Sequence, residues 1–94
     1  MNDLSAASET REVGINLFGG FRQFRKESTL SVNMESTFTV ADLRRKVAGV
    51  FADDQEALSL LKASAFATDT RVLDETETVP TDVALALLPP VCGG

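Results

Sequence analysis

The sequence predicts an α+β domain in which a mixed sheet wraps around one main helix. Three patterns point to it. Val13, Ile15 and Leu17 alternate with Glu12, Gly14, Asn16 and Phe18, and Leu30, Val32 and Met34 alternate with Ser31 and Asn33. Two strands therefore flank a long connection containing Gly19-Gly20 and form an antiparallel hairpin. Val40, Leu43, Val47 and Val50 recur at helical spacing, with Phe51 beside them. Val83 to Leu88 is an apolar run that reads as a buried central strand. A lone amphipathic helix must bury its stripe, and the sheet is the surface available to it. The first and last strands then pair in parallel at the centre.

Each element has a local cause. Residues 1–10 are small, polar and unpatterned, and are expected to be a flexible N-terminal tail. The domain is expected over 11–88. The helix begins at Thr39-Val40-Ala41-Asp42, where Thr39 caps the first turn and Asp42 returns a bond to the Thr39 backbone. Phe38 before the cap and Leu43 inside it are placed to staple the entry. Gly49 weakens the helix by about 1 kcal/mol against alanine. Asp53-Asp54 ends this helix or caps a short second one across Gln55 to Leu61. Ala63 to Ala67 and Arg71 to Leu73 are short strand candidates around a Thr68-Asp69-Thr70 turn. Asp74 to Thr78 is an acidic loop, and Pro80-Thr81-Asp82 is a turn.

Composition narrows the function. Ninety-four residues, 44% of them hydrophobic, make one domain with a modest core. A net charge of -5 argues against a nucleic-acid partner. No apolar run is long enough for a membrane span, and residues 1–10 do not resemble a secretory signal. With no histidine and a single cysteine, Cys92, the chain offers no imidazole site, no internal disulfide and a poor metal site. A free thiol fits a reducing cytoplasm. Gly19-Gly20 lacks the Lys-Ser/Thr of a phosphate loop and reads as a turn. Arg22, Arg25 and Lys26, and Arg44, Arg45 and Lys46, read as solvated faces.

The most informative stretch is 89–94, Pro89-Pro90-Val91-Cys92-Gly93-Gly94. Pro89 and Pro90 stiffen the exit from the last strand. Gly93 and Gly94 carry no side chain and can enter a slot too narrow for other residues. A rigid exit followed by a thin tip suits a carboxylate inserted into another protein's active site. Cys92 reads as a tolerated small residue in that tip.

This element order with a Gly-Gly ending resembles the β-grasp fold of ubiquitin, and more closely the bacterial sulfur carriers of the MoaD and ThiS families. Leu87-Leu88-Pro89-Pro90-Val91-Cys92-Gly93-Gly94 resembles the MoaD ending, Leu-Pro-Pro-Val-x-Gly-Gly. The first strand with Phe21-Arg22, and Thr39-Val40-Ala41-Asp42-Leu43 at the helix start, are similar to the family as well. The likeness runs from about Glu12 to Gly94. Thr68-Asp69-Thr70 and Pro80-Thr81-Asp82 stand where many relatives have Asn-Gly and Asp-Gly-Asp, and cysteine at 92 is less usual.

The resemblance implies a carrier without turnover of its own and without a bound cofactor. A partner uses ATP to adenylate the Gly94 carboxylate, and a sulfur donor converts it to a thiocarboxylate. A sulfur-accepting enzyme, such as the large subunit of molybdopterin synthase, then takes the sulfur. Carriers for thiamine, cysteine or other sulfur metabolites, and covalent protein modifiers, share the tip. Counting back from Gly-Gly, as in ubiquitin-like proteins, places Val83, Leu85 and Leu87 in the core. Phe18, Ala84, Ala86 and Leu88 then form an apolar patch on the open face. With Pro89, Pro90, Val91, Cys92 and Gly93, they are the expected partner-binding residues, and Gly94 is the reacting one.

Overall fold

A computed structural model describes residues 10–23, 28–81 and 83–90. Chain order is β1 (Thr10–Leu17), a 3-10 turn (Gly19–Gln23), β2 (Thr29–Glu35), α1 (Val40–Val50), α2 (Gln55–Lys62), β3 (Ala65–Ala67) and β4 (Leu85–Leu88). The strands form one mixed sheet in the order β2-β1-β4-β3. β1 and β2 are antiparallel, from Thr10 opposite Glu35 to Asn16 opposite Thr29. β1 and β4 are parallel, with Ile15, Asn16 and Leu17 opposite Leu85, Ala86 and Leu87. β3 closes the other edge antiparallel to β4. The expected α+β grasp, with its parallel central pair, is the observed fold.

Strand alternation sends one set of side chains to the helices. Val13, Ile15 and Leu17 of β1, Leu30, Val32 and Met34 of β2, Phe66 of β3, and Leu85 and Leu87 of β4 are buried. Val40, Leu43 and Val47 of α1, Ala57 and Leu61 of α2, and Phe21, Phe38, Phe51, Leu73 and Val79 join the same core. Burying apolar side chains of this size stabilises by about 1.5–3 kcal/mol each before entropy is counted.

Four sequence expectations change. Val83 lies outside β4 and is 41% exposed. β3 ends at Ala67, opposite Ala86, and Thr68 turns away to bond Thr70 and Arg71, so the chain before Leu85 has no β3 neighbour. Val50 is exposed because the helix ends there, and the next residue, Phe51, turns its ring inward against Phe21, with centroids 6.1 Å apart. Residues 71–73 make one bridge, Ala67 to Val72, rather than a strand. Ala63 and Ser64 belong to the exit of α2: Ala63 caps it, and the Ser64 hydroxyl donates to the Leu60 carbonyl. In addition, β1 starts at Thr10, one residue inside the stretch read as tail.

The start of α1 shows why the acidic loop is where it is. A helix leaves its first N–H groups without intrahelical partners. The Val40 N–H donates to the Glu77 carbonyl and the Ala41 N–H to the Glu75 carbonyl, both at 3.0 Å. The Asp42 N–H donates to the Thr39 hydroxyl, and the Thr39 N–H returns to the Asp42 carboxylate, which completes the expected capping box. Residues 74–79 thus wrap the helix start, and the Val79 N–H closes the wrap on the Phe38 carbonyl at 2.9 Å.

Two arginines tie this loop down. Arg71 pairs with Glu77. Arg44 is no solvated side chain. Its guanidinium forks onto Glu75 (Nε to Oε2, 3.0 Å), donates through Nη1 to the Leu61 carbonyl, and lies 5.2 Å from the Phe66 ring centroid. One planar cation therefore links α1, the end of α2, β3 and the loop, using a fork geometry that lysine lacks. Arg45 pairs with Asp42.

The hydrogen bond from Arg71, helped by the Asp74 N–H, pushes the Glu77 carboxyl from its ordinary value of 4.5 to about 2. A depressed carboxylate contributes stability that is whole above its unfolded value and is lost as pH falls through its folded value. Urea midpoints should therefore fall between pH 4.5 and about 2, and Glu77→Gln should flatten that dependence. Arg44→Ala should cost about 1.5–3 kcal/mol in urea denaturation, the range for hydrogen bonds to charged groups. Arg44→Lys should recover only part of that loss.

Candidate functional site

β1 and β4 run side by side and finish together. Leu17 and Leu87 are the last register pair, and both are buried. Their successors, Phe18 and Leu88, come at the same end of the sheet and are 47% and 37% exposed. Alternation puts them on the face opposite the helices. Ala86 lies one step back on that face, half-buried, and Ala65 of β3 stands opposite Leu88. Asn16 and Thr29 form the polar margin, with the Thr29 hydroxyl donating to Asn16 Oδ1 at 3.1 Å.

Of the expected partner-binding residues, Phe18, Ala86, Leu88, Pro89 and Pro90 therefore gather at one end of the sheet. Pro89 is half-buried and Pro90 exposed. Ala84 is exposed but precedes β4, at the far end of that strand from the tail. Val91, Cys92, Gly93 and Gly94 lie outside the described residues, as do Arg25 and Lys26. Leu85 and Leu87 face the core as expected, whereas Val83 does not.

The Gly19-Gly20 turn has a role that motif reading missed. Gly19 has φ +58°, in the left-handed region. A β-carbon built on it would lie 2.7 Å from Cγ of Pro89. The turn after the first strand is thus the seat of the residue that begins the tail. A glycine pair after a strand carries no sequence signal for such a contact, because Pro89 is distant in the chain.

Among the described residues no cluster of three metal-ligating side chains occurs. The described helices include none long and apolar enough to cross a membrane. A concavity of about 480 Å³, lined by Asn33, Met34, Glu35, Phe38, Asp42, Arg45 and Lys46, lies at the other end of the sheet, where Glu35 pairs with Thr10. Two of its four charged lining residues, Asp42 and Arg45, pair with each other. The arrangement presents an exposed apolar face beside a proline-stiffened exit.

The described elements define a ubiquitin-like β-grasp domain. No model of a known protein family matches the chain. It is 30% identical over 89 residues to the molybdopterin synthase sulfur carrier subunit of Synechococcus elongatus, covering 90% of this chain and 99% of that one. The chain belongs to the MoaD/ThiS family of ubiquitin-like sulfur carriers, as a small carrier rather than an enzyme. Among solved structures, SAMP1 from Haloferax volcanii superimposes with TM-score 0.68 at 21% identity, over 89% of this chain and all of that one. The complex of subunits 1 and 2 of molybdopterin-converting factor from Helicobacter pylori matches with TM-score 0.54 at 20% identity, over 89% of this chain and all of the matched one. These two likenesses establish the fold.

Proposed function

We propose that the chain is the small, sulfur-carrying subunit of a molybdopterin synthase, with Gly94 as its reacting residue. The relationship to the Synechococcus elongatus carrier subunit, over 90% of this chain and 99% of that one, supports this reading. The Leu88-Pro89-Pro90 exit beside an exposed apolar face supports it.

The chemistry follows from the weakness of a carboxylate as an electrophile. Its charge repels nucleophiles, and oxide is a poor leaving group. An adenylating partner joins one Gly94 oxygen to the α-phosphorus of ATP and releases pyrophosphate. A sulfur donor then attacks the acyl carbon, AMP departs, and the terminus becomes a thiocarboxylate. Its sulfur is soft and nucleophilic. In the large subunit's pocket the sulfur bonds to a carbon of a pterin precursor, which loses an oxygen leaving group, and water then cleaves the acyl–sulfur bond and regenerates the carboxylate.

The chain itself contributes binding and placement. Phe18, Ala86 and Leu88 dock on the partner, and Pro89-Pro90 limit the freedom lost when the tip enters a slot. Preorganisation of this kind lowers the entropic cost of association. The absence of histidine and the single cysteine fit a subunit that delegates ATP handling and proton transfer.

Intact-mass analysis tests the reading. A chain verified to end at Gly94, incubated with its cognate adenylating enzyme, ATP and a sulfur source, should exchange one terminal oxygen for sulfur. Gly94→Ala should block the exchange without altering the fold. No mass change refutes the carrier terminus; linkages from Gly94 to lysines of other proteins point to a modifier instead. Leu88→Asp should cost about 1 kcal/mol, the span of strand propensities, and leave the chain folded, because Leu88 lies in β4 opposite Ala65. The same variant should weaken capture of a molybdopterin synthase large subunit in a titration.

A further inference from the structure

We propose that Gly19 and the Pro89 ring form a joint that sets the direction in which the tail leaves the domain, which makes Gly19 a positioning residue for the carrier terminus. This rests on the carrier reading above and adds to it a residue distant from the tip in sequence.

The joint forms because two strands end together. After the Leu17–Leu87 pair, β1 must turn away and β4 must leave the sheet. Gly19 makes the turn with φ +58°, a conformation that L side chains rarely adopt. Pro89 begins the exit with its own φ held near −65° by the ring. A β-carbon at Gly19 would stand 2.7 Å from Cγ, 3.7 Å from Cδ and 3.9 Å from Cβ of Pro89. The ring edge therefore lies directly over the bare α-carbon. A pyrrolidine has no free end to swing aside, so a side chain at 19 must displace the exit itself.

Position 19 thus meets two separate demands, a positive φ and an absent β-carbon. Asparagine satisfies the first and violates the second. The turn is itself seated on the body. A β-carbon on Gly20 would stand 3.1 Å from Leu60 Cδ2, so the neighbouring glycine packs closely on α2. Pro89 is referenced to Gly19, and the turn holding Gly19 is referenced to α2. A tip that must enter a narrow slot benefits from a root aimed by this chain rather than by random search, because a misplacement of about 1 Å can cost about a hundredfold in rate.

The single cysteine supplies the probe. A nitroxide on Cys92 of the full chain broadens the backbone amides that the tail visits, read by two-dimensional NMR. The parent chain should show broadening confined to one sector around the sheet end. Gly19→Asn keeps both prolines and tolerates the positive φ. It should spread the broadening over a wider set of amides while the chemical shifts of α1 and the core strands hold. Pro89→Ala, which leaves Gly19 intact, should do the same and decides the matter if Gly19→Asn fails to fold. With unlabelled chains, KM for the adenylating enzyme should rise on the order of tenfold while kcat holds, the signature of lost binding and not of lost chemistry. Identical broadening in parent and variants overturns the joint. Altered broadening with unchanged KM overturns its part in positioning the terminus. A parent chain that its adenylating enzyme never loads refutes the carrier reading, while the broadening still judges the joint.

Discussion

The parallel pairing of β1 with β4 is the constraint on which the rest depends. Parallel neighbours cannot be joined by a tight turn; the chain must cross over and return. Everything from the 3-10 turn to β3 occupies that crossover, and the two helices within it cover the single face that β1 and β4 make apolar. Because the strands point the same way, they also end at the same place. The last residues of β4 therefore emerge beside the first turn of the chain, and the tail is rooted in the centre of the sheet rather than at a frayed edge. Leu17 and Leu87 are the buried anchor of that root, and Phe18 and Leu88 are its exposed continuation.

A crossover of this length must satisfy many backbone groups, and at the start of α1 that falls to a segment with no regular structure. Residues 74–79 supply the carbonyls that the first turn of α1 lacks, and Arg44 and Arg71 hold the acidic side chains of that segment in place. The charges serve the fold here. They lie on the helix side of the sheet, and the face beside the tail is left to alanine, leucine and phenylalanine.

β4 leaves the sheet at one end, and the concavity lined by the Asp42–Arg45 pair lies at the other. Concave sites with convergent polar groups mark enzymes. The end of the sheet where β4 leaves instead exposes Phe18, Leu88 and Pro90. Pro89 and Pro90 fix their own backbone φ, so the exit from β4 has little freedom of its own.

By itself the sequence determined the features that arise from neighbours along the chain. Alternation over Val13, Ile15 and Leu17 marked one strand, and Leu30, Val32 and Met34 another. The Thr39–Asp42 capping box marked the start of α1, and Pro89-Pro90 marked the end of the sheet. The resemblance to sulfur carriers followed mainly from the contiguous run Leu87 to Gly94. Only the tertiary structure decided where neighbours come from elsewhere. Val83 is apolar and in phase with Leu85, yet it is exposed because β3 ends too soon to support it. Arg44 sits among basic residues that look solvated, yet it is held by Phe66, Leu61 and Glu75 from three other segments. Gly19 looks like an ordinary turn residue until Pro89 arrives across its α-carbon. Local pattern records what a residue can do next to its sequence neighbours; long-range packing selects among those options, and it does so through atoms that no window along the chain contains.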